Sequence, residues 1–444
     1  MKRIRIKNFG PITQGYKRAD GWFDIKKVTF FCGPQGSGKS TIAKLISSFL
    51  WIEKALLRGD FTEKELNYSF LRNERFKYLG IDNYFLLENG TEIEFESDVY
   101  SFRCISKKIT VKSNLGKQYI RPKIMYIPAE RNLLSTVNDK ILDNMKGLPQ
   151  TLYTLLAEYN KTKKSIGSSK QQLPLEDVFF YYDEKSDTSF ITNKAQTYKL
   201  PVSESASGYQ SLIPMTLVSH YLAEEENYLN GSSVQPLTYN IEQRMKSGLN
   251  KMNVPDVVLH FSSGDVSLEL KAVLDTSGIP YAITEKASNR KVAYNQIENN
   301  LLNYLSRFYN QCFVNIVEEP EQNLYPASQR LILYDLLSCN NKKKNNMLVL
   351  TTHSPYMLYY ITLAIKAGQL LAKGVPYNKI KSIIPENAIV HGSDVVIYEL
   401  NEKGFINKLS SYKDMPSDTN ILNNEISKGN DDFDKMLYLE KNAG

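Results

Sequence analysis

A glycine-rich segment at residues 33–41 could hold the phosphates of a nucleotide. It reads Gly-Pro-Gln-Gly-Ser-Gly-Lys-Ser-Thr and fits the pattern G-x-x-x-x-G-K-[ST]. Its glycines let backbone N–H groups turn inward around phosphate oxygens, and the start of a helix adds the positive end of a dipole. Lys39 can reach the β- and γ-phosphates, and the Ser40 hydroxyl can ligate Mg²⁺. The residues expected to contact the nucleotide are Gly33, Gln35, Gly36, Ser37, Gly38, Lys39, Ser40 and Thr41.

Two adjacent carboxylates, Glu318 and Glu319, end the apolar run at residues 312–317. In open α/β sheets ligands bind at the carboxyl ends of the strands. One carboxylate placed there can hold Mg²⁺, directly or through water, and the next can polarise an attacking water. We assign Glu318 to the metal and Glu319 to the general base. An ordinary acidic loop is the alternative, and a phosphate-binding loop in the same chain favours the catalytic interpretation.

Two weaker signals accompany these motifs. His353 follows the apolar run at 348–351, where it could reach a γ-phosphate and donate a hydrogen bond or move a proton. A lone histidine is more often structural than catalytic. A catalytic role for His353 therefore requires that the strand before it lie beside the strand that ends at Glu318. Residues 206–210 read Ala-Ser-Gly-Tyr-Gln and precede a helical pattern at 211–228. Taken alone, this segment is typical of a helix N-cap.

The elements that must position these residues follow from the apolar periodicity. A strand at 28–32 and a helix at 40–57 flank the phosphate-binding motif. Further predicted strands lie at 3–9, 22–25, 84–111, 122–127, 312–317 and 348–351, with a hairpin of 395–400 and 405–409. Further predicted helices lie at 133–163, 211–228 and 289–309, and a weak one follows residue 412. A second hairpin is predicted at 256–274. The pattern predicts an α/β fold with a mixed β-sheet core.

Composition excludes several classes of protein. The 444 residues are 42% hydrophobic and 11% aromatic, enough to bury a large core. The longest apolar stretch, 357–371, contains Lys366 and is too short to span a bilayer, so we expect no membrane partner. The four cysteines have no CxxC spacing, which favours a reducing cytoplasm. The net charge of +7 permits contact with nucleic acid without requiring it.

The four motifs, in this order, resemble the heads of ABC-type ATPases. Residues 206–210 align one-to-one with the L-S-G-G-Q signature of that family. The chain is most similar to the RecF/Rad50/SMC-like branch, and within it to the overcoming-lysogenization-defect (OLD) nucleases and their stand-alone relatives. The segments that carry this resemblance are 6–11 (I-K-N-F-G-P), 318–326 (E-E-P-E-Q-N-L-Y-P) and 352–355 (T-H-S-P).

The resemblance implies a head-to-head dimer or higher homo-oligomer that uses ATP and Mg²⁺. ATP held by Lys39 and Ser40 of one subunit would be capped by the signature of the other. Glu319 and His353, with Lys39, would promote hydrolysis. The residues expected to cap the nucleotide are Ser207, Gly208 and Gln210, and those expected near the base or ribose are Asn8 and Phe9.

The sequence also departs from the family pattern. Residue 35 is Gln where the family usually has Asn, the first acid of the pair is Glu318 where transporters have Asp, and no Q-loop glutamine is placed. We divide the chain into ATPase lobe I (1–125), a helical lobe with the signature (126–223), an inserted α+β element (224–310) and the remainder of lobe I with a C-terminal extension (311–444). The absence of a long coiled coil argues against an SMC protein proper.

The resemblance leaves two functions open. OLD nucleases carry a Toprim nuclease, whereas the D-x-D at 432–434 lacks a preceding strand and is typical of a solvated helix face. This favours a sensor or scaffold of a bacterial anti-phage system, like the ATPase subunits of PARIS and Septu. A separate Toprim-like or HNH nuclease would be the effector, and a phage protein or DNA the trigger. The alternative is a RecF-like repair clamp that binds DNA directly. The basic stretch 103–123 is either its DNA contact or a lysine-rich solvated hairpin.

Overall fold

The computed structural model describes residues 2–85, 90–114, 119–136, 147–175, 177–224, 307 and 310–443. The predicted hairpin at 256–274 lies outside the described residues, as do nearly all of the predicted helix at 289–309 and of the inserted element 224–310.

The described strands and helices agree in most places with the apolar pattern. The strands are β1 (Lys2–Lys7), β2 (Gly15–Tyr16), β3 (Trp22–Ile25), β4 (Val28–Cys32), β5 (Glu92–Glu96), β6 (Tyr100–Ile105), β7 (Lys108–Ser113), β8 (Pro122–Ile127), β9 (Gln171–Gln172), β10 (Phe179–Asp183), β11 (Thr188–Thr192), β12 (Lys199–Pro201), β13 (Cys312–Glu318), β14 (Met347–Thr352), β15 (Val395–Leu400), β16 (Phe405–Lys408), β17 (Ser411–Tyr412) and β18 (Met415–Pro416). The helices are α1 (Lys39–Arg58), α2 (Tyr68–Phe70), α3 (Leu133–Thr136), α4 (Gln150–Ile166), α5 (Ser207–Glu224), α6 (Pro326–Asn341), α7 (Pro355–Ala372) and α8 (Ile421–Ala443).

A seven-stranded mixed sheet forms the centre of the described fold. Its order is β2-β16-β15-β4-β14-β13-β8. The five neighbours β15, β4, β14, β13 and β8 run parallel, while β16 is antiparallel to β15. Every residue of β4, β13 and β14 is buried. Their continuous apolar runs are what a parallel sheet covered on both faces requires. The predicted mixed β-sheet core is confirmed.

Helix α1 lies on one face of this sheet. Its buried residues share a hydrophobic core with the antiparallel sheet β3-β1-β5-β6-β7 on one side and with β13, β14 and β15 on the other. The opposite face of the central sheet packs against α4, α5, α6 and α7 in a second core. The result is a layered α/β fold in which α1 is enclosed between two sheets.

Three predictions need correction. The predicted helix at 133–163 is not continuous, because the described residues 147–149 are not helical and α4 begins only at Gln150. The domain boundary between residues 125 and 126 falls inside β8, a strand of the central sheet. The segment 126–223 also contains a four-stranded sheet, β12-β11-β10-β9, whose strand β10 shares the second core with α4. Strands β10 and β11 lie within residues 173–201, whose sequence pattern is mixed, so only the description of 126–223 as a helical lobe is wrong.

The C-terminal helix α8 is longer and better defined than the weak pattern indicated. Much of it is exposed, including the large side chains of Phe433, Met436, Tyr438 and Leu439. Asp432 of the D-x-D segment lies on this helix and forms a 2.7 Å ion pair with Lys435. The expected helical, solvated position of that segment is confirmed.

The buried residue Glu53 of α1 makes the stability of the folded chain depend on pH. Its side chain is buried, accepts a hydrogen bond from the Ser97 hydroxyl, and burial raises its pKa to about 7. Between its ordinary pKa of 4.5 and about 7, the unfolded chain releases this proton and the folded chain keeps it. The contribution of Glu53 to stability is therefore present at low pH and decreases as the pH rises through that window, by about 3 kcal/mol at most.

We expect Glu53→Gln to remove this dependence. Chemical denaturation at pH 5 and at pH 8 should show the variant gaining free energy of unfolding relative to the wild type at the higher pH. The surface variant Glu63→Gln is the control and should follow the wild type at both values. If the free energy of unfolding changes equally between pH 5 and pH 8 in Glu53→Gln and in the wild type, Glu53 is not protonated in the folded chain.

Candidate functional site

Three neighbouring parallel strands bring the predicted motifs to one edge of the central sheet. Strand β14 lies between β4 and β13. Cys32 at the end of β4 is opposite Thr352, and Glu318 at the end of β13 is opposite Thr351. Residues 33–41, His353 and the two glutamates therefore leave the sheet side by side. The predicted adjacency of the histidine strand and the acidic strand is confirmed.

The glycines of the segment 33–41 are required by its geometry. Gly33 has φ +146°, and a Cβ there would lie 2.1 Å from the carbonyl oxygen of Leu400. Gly38, which precedes α1, has φ +101°, and a Cβ would lie 2.9 Å from the Ile12 Cγ1 atom. Only glycine adopts these conformations in this space without strain. Residues 33–38 thus form a loop turned between β4 and the start of α1.

Lys39 is directed into this loop. Its Nζ atom donates to the carbonyl oxygens of Gly33, at 3.0 Å, and Pro34, at 2.8 Å. Burial lowers the pKa of Lys39 to about 8, although nearby Glu319 and other acidic groups oppose that shift. The ammonium is held by two neutral acceptors, and a phosphate oxygen would be a stronger partner because it carries charge.

The start of α1 offers further donors. As in every helix, its first N–H groups have no intrahelical acceptor, and here no N-cap side chain accepts from them either. The Ser37 hydroxyl is buried without a hydrogen-bond partner, which costs free energy unless a ligand supplies one. Ser40 is half-buried, Thr41 is buried and Gln35 is exposed. This donor set of ammonium, hydroxyl and N–H groups fits a nucleotide phosphate, and the individual contacts stay predictions.

Glu318 is an anchored carboxylate. Only 5% of the residue is exposed, and its side chain accepts hydrogen bonds from the Tyr126 hydroxyl and, at 3.2 Å, from the Ala129 N–H. Burial raises the pKa of Tyr126 well above its ordinary value, so this phenol stays a donor. Each carboxylate oxygen keeps a second lone pair, which leaves Glu318 able to bind Mg²⁺ or one of its waters.

Glu319 has a strained backbone and a directed side chain. Its φ is +44°, a region that non-glycine residues rarely adopt, at a cost of about 1–3 kcal/mol. Its N–H donates to the Thr351 carbonyl oxygen at 3.0 Å. Its Oε1 atom lies 3.3 Å from the His353 Nε2 atom. The hydrogen bond from His353 lowers the pKa of Glu319, so this carboxylate is ionised and available as a proton acceptor.

Glu321 holds the histidine turn and was not predicted as a site residue. Its Oε1 atom accepts hydrogen bonds from the Thr352 hydroxyl, at 2.7 Å, and from the His353 N–H, at 2.8 Å. Burial raises its pKa. The sequence did contain a signal, because Glu321 follows Glu319 by two positions in the run E-E-P-E. Glu321 thus links the acidic loop, which is the segment 319–325 between β13 and α6, to the turn that carries His353.

Arg131 is the second residue that sequence reasoning missed. It is completely buried, and burial lowers its pKa to about 10. Its guanidinium donates to the carbonyl oxygens of Glu318 (2.7 Å), Glu319 (2.8 Å) and Ser211 (3.0 Å). A single side chain therefore ties the acidic pair to α5. Nothing in a lone arginine after a predicted strand indicates such a role.

The segment 206–210 forms the start of α5. Ser207 is its first residue and is exposed. A Cβ on Gly208 would lie 2.9 Å from the carbonyl oxygen of Asn323, so this glycine allows α5 to approach the loop after the acidic pair. Gln210 is buried, and its amide donates at 3.0 Å to the carbonyl oxygens of Ser203 and Ser205. Gln210 therefore shapes the preceding turn, while Ser207 is accessible to a second molecule.

The expected contact of Phe9 with a base or ribose is not supported. Phe9 is completely buried, with ring centroids 5.5, 5.8 and 5.3 Å from those of Phe76, Tyr84 and Phe85. Its ring belongs to the core and presents no open face. Asn8 lies in a turn with φ +52°, and its amide donates to the Gly90 carbonyl oxygen at 3.4 Å. Its predicted contact with the nucleotide stays a prediction.

The basic stretch 103–123 does not form one continuous surface. Arg121 is buried, and Lys123 forms a 2.5 Å ion pair with Glu158. Arg103 lies 3.5 Å from the Glu94 carboxylate. The exposed cations of the stretch that are described are on the β6–β7 hairpin, at residues 103, 107, 108 and 112. The stretch is divided because β8 enters the central sheet while β6 and β7 belong to the antiparallel sheet.

Comparison with known proteins gives a limited result. No model of a protein family and no curated protein matches the chain. Among solved structures, the SMC head domain from Thermotoga maritima aligns with a TM-score of 0.34 and 10% identity, over 92% of this chain and 98% of that one. An SmcHead bound to the C-winged helix domain of ScpA aligns with a TM-score of 0.33 and 9% identity, over 92% and 97%. Likenesses this low carry no weight for function. Within the described ranges, no helix has the length and apolarity that crossing a bilayer requires.

Proposed function

We propose that this protein is an ABC-type ATPase that hydrolyses ATP at the edge formed by β4, β14 and β13. The observation that carries the proposal is the placement of a glycine loop with Lys39 beside a strained, ionised Glu319 paired to His353. Strain of this kind persists where the surrounding structure enforces it, and it is frequent at active sites.

The residues that would hold Mg²⁺ are Ser40 and Glu318. The metal would neutralise charge on the β- and γ-phosphate oxygens. Lys39 would exchange its two carbonyl acceptors for phosphate oxygens, and the unpartnered Ser37 hydroxyl and the free N–H groups of α1 would bind the same phosphates. The site is thus complementary to a triphosphate through both charge and hydrogen bonds.

Glu319 would orient and polarise the attacking water. A carboxylate whose pKa is low is a weak base, so its main contribution is to position the water and accept its proton as the transition state develops. His353 fixes the Oε1 atom of this carboxylate and is itself fixed by Glu321 through its backbone N–H. Arg131 holds the backbone carbonyl of Glu319, which maintains the left-handed conformation that aims the side chain.

A second subunit would complete the site through Ser207 and Gly208. Ser207 is exposed at the start of α5, where the helix dipole favours an anionic partner. Gly208 and Arg131 connect this helix to the acidic loop of its own subunit. ATP bound to one subunit would contact Ser207 of the other. The contacts of Gly208 and Arg131 would then transmit this binding to the acidic loop, and so to the ATP site, of that other subunit.

Mixing two inactive variants tests this arrangement. We expect Lys39→Ala and Ser207→Arg each to abolish steady-state hydrolysis when alone. In a head-to-head dimer, a mixed pair contains one intact site, because the Ser207→Arg subunit supplies Lys39 and the Lys39→Ala subunit supplies Ser207. Random pairing should then restore about one quarter of the wild-type activity. A mixture as inactive as its components, or a Ser207→Arg protein with normal activity, would contradict a signature acting between subunits.

The biological role that we propose is that of a sensor or scaffold in a bacterial anti-phage system. This rests on the motif resemblance to stand-alone relatives of OLD nucleases, and it assigns cleavage to a separate Toprim-like or HNH nuclease. The trigger would be a phage protein or DNA. Light scattering of the full chain with Mg²⁺ and ATP tests this role, since assembly independent of duplex DNA supports a scaffold.

A RecF-like clamp is the second candidate function. The exposed cations at 107, 108 and 112 on the β6–β7 hairpin favour it, because a row of lysines can contact phosphates of DNA. A clamp should assemble only when ATP and duplex DNA are both present, and its affinity for DNA should fall steeply with salt. Assembly with that dependence would replace the scaffold proposal.

A further inference from the structure

Three potential metal ligands meet between α5 and α6, away from the proposed ATP site. His220 is on α5, and Asp335 and Cys339 are one helical turn apart on α6, so the latter two share a face. One ligand atom from each side chain lies within 4.8 Å of the other two. The His220 Nε2 atom is 2.7 Å from the Asp335 Oδ1 atom. The three donors are a nitrogen, an oxygen and a sulfur.

We propose that this cluster binds one zinc-class divalent transition-metal ion. Imidazole, carboxylate and thiolate are the usual ligands of tetrahedral zinc. With zinc–ligand distances of about 2.0–2.3 Å, ligand atoms of a tetrahedral site are about 3.3–3.7 Å apart. All three ligand atoms lie within 4.8 Å of one another, and the histidine and aspartate atoms, now 2.7 Å apart, would need to part by only about 0.6 Å to admit the ion.

The surroundings of the cluster support a bound ion. The Asp335 Oδ2 atom is buried and has no hydrogen-bond partner, so one polar atom of the cluster is left unsatisfied in the metal-free chain. The Cys339 residue is 1% exposed, whereas the His220 side chain is 29% exposed. The ion could therefore enter from the histidine side, and a water could occupy the fourth position.

The helices that carry the ligands are held in place on both sides of the cluster. The neighbouring Ser219 hydroxyl accepts a 2.9 Å hydrogen bond from the Asn315 amide of β13. The Asn346 amide donates to the Cys339 carbonyl oxygen at 3.2 Å. These contacts hold the backbone segments that carry His220 and Cys339 against the central sheet and the turn before β14. A bound ion would join α5, which begins at Ser207, to α6, which follows the acidic loop.

The donor set distinguishes this ion from the Mg²⁺ of the proposed ATPase. Magnesium prefers oxygen ligands in octahedral geometry and retains its waters, so a site with a thiolate and an imidazole should reject it. Soft and intermediate ions such as zinc and cobalt accept sulfur and nitrogen. Binding of this ion therefore does not depend on binding of nucleotide.

Cobalt titration of the full chain, without nucleotide and after removal of metals with a chelator, tests the proposal. We expect one Co²⁺ per chain, with a thiolate-to-cobalt charge-transfer band in the near ultraviolet and visible bands of tetrahedral intensity. Zinc should displace the cobalt, and excess Mg²⁺ should not. Cys339→Ser should abolish the charge-transfer band and His220→Gln should weaken binding more than about 100-fold.

Cys104→Ser is the matched control, because Cys104 is also a buried free cysteine but lies on β6. It should bind cobalt like the wild type. Absence of a saturable cobalt spectrum in the wild type would overturn the proposal, and the cluster would then be an ion pair between helices beside a buried thiol. A charge-transfer band that persists in Cys339→Ser, or one that is lost in Cys104→Ser, would overturn it as well.

Discussion

Replacing Glu319 by glutamine is expected to slow ATP hydrolysis about 100- to 1,000-fold while ATP binding is retained. The amide keeps the size of the side chain and its position beside His353, but it cannot accept the proton of the attacking water. The groups that bind the phosphates, Lys39 and the start of α1, are unchanged. ATP should therefore remain bound, and the dimer that it joins should accumulate.

Two measurements on Glu319→Gln check this expectation. Phosphate release under single-turnover conditions gives the chemical rate, and light scattering with ATP and Mg²⁺ gives the oligomeric state. Glu425→Gln is the control, since Glu425 is an exposed residue of α8 whose partner is Lys428. It should hydrolyse ATP at the wild-type rate. If Glu319→Gln does so too, Glu319 is not the general base.

Lys39→Ala is expected to weaken ATP binding at least 100-fold, which is about 2.7 kcal/mol. The substitution removes the only side-chain ammonium that the described loop residues 33–41 contribute. It also leaves the carbonyl oxygens of Gly33 and Pro34 without their present donor. Phosphate charge would then be met only by N–H and hydroxyl groups, which are weaker partners than a cation.

Fluorescence titration with a labelled ATP analogue measures this loss. Lys39→Met is a second variant, whose side chain fills a similar volume without a charge. If Lys39→Met binds the ATP analogue weakly but unfolds at the wild-type temperature, the loss of affinity is due to the missing charge. Lys44→Ala, on the same helix but outside the loop, should bind ATP normally. Wild-type affinity in Lys39→Ala would exclude residues 33–41 as the nucleotide site.

The two variants are expected to stop the protein at different steps. Lys39→Ala should remain without nucleotide, and Glu319→Gln should remain loaded. Arg131 provides the structural reason that the loaded state can affect assembly, because its guanidinium contacts the backbone of Glu318, Glu319 and Ser211. A movement of the acidic loop on nucleotide binding would be passed directly to the start of α5.

The sequence by itself determined the elements around the phosphate-binding loop. Strand β4 matches its predicted range, and α1 begins one residue before the predicted helix. Local rules are sufficient here. A run of apolar residues specifies a strand covered on both faces, and glycines at positions 33 and 38 are needed where φ is positive. The acidic pair at the end of β13 was predictable for the same reason.

Only the tertiary structure decided which residues surround these motifs. The hydrogen bonds of Arg131 to the acidic pair cross 187 and 188 positions of the chain, and the ion pair of His220 with Asp335 joins residues 115 positions apart. Periodicity carries no information about such distant partners, because they depend on strand order and helix packing. The same limit explains why the predicted contact of Phe9 with a nucleotide is not supported. Its motif indicated a ligand contact, while the packing of Phe76, Tyr84 and Phe85 around it made the ring part of the core.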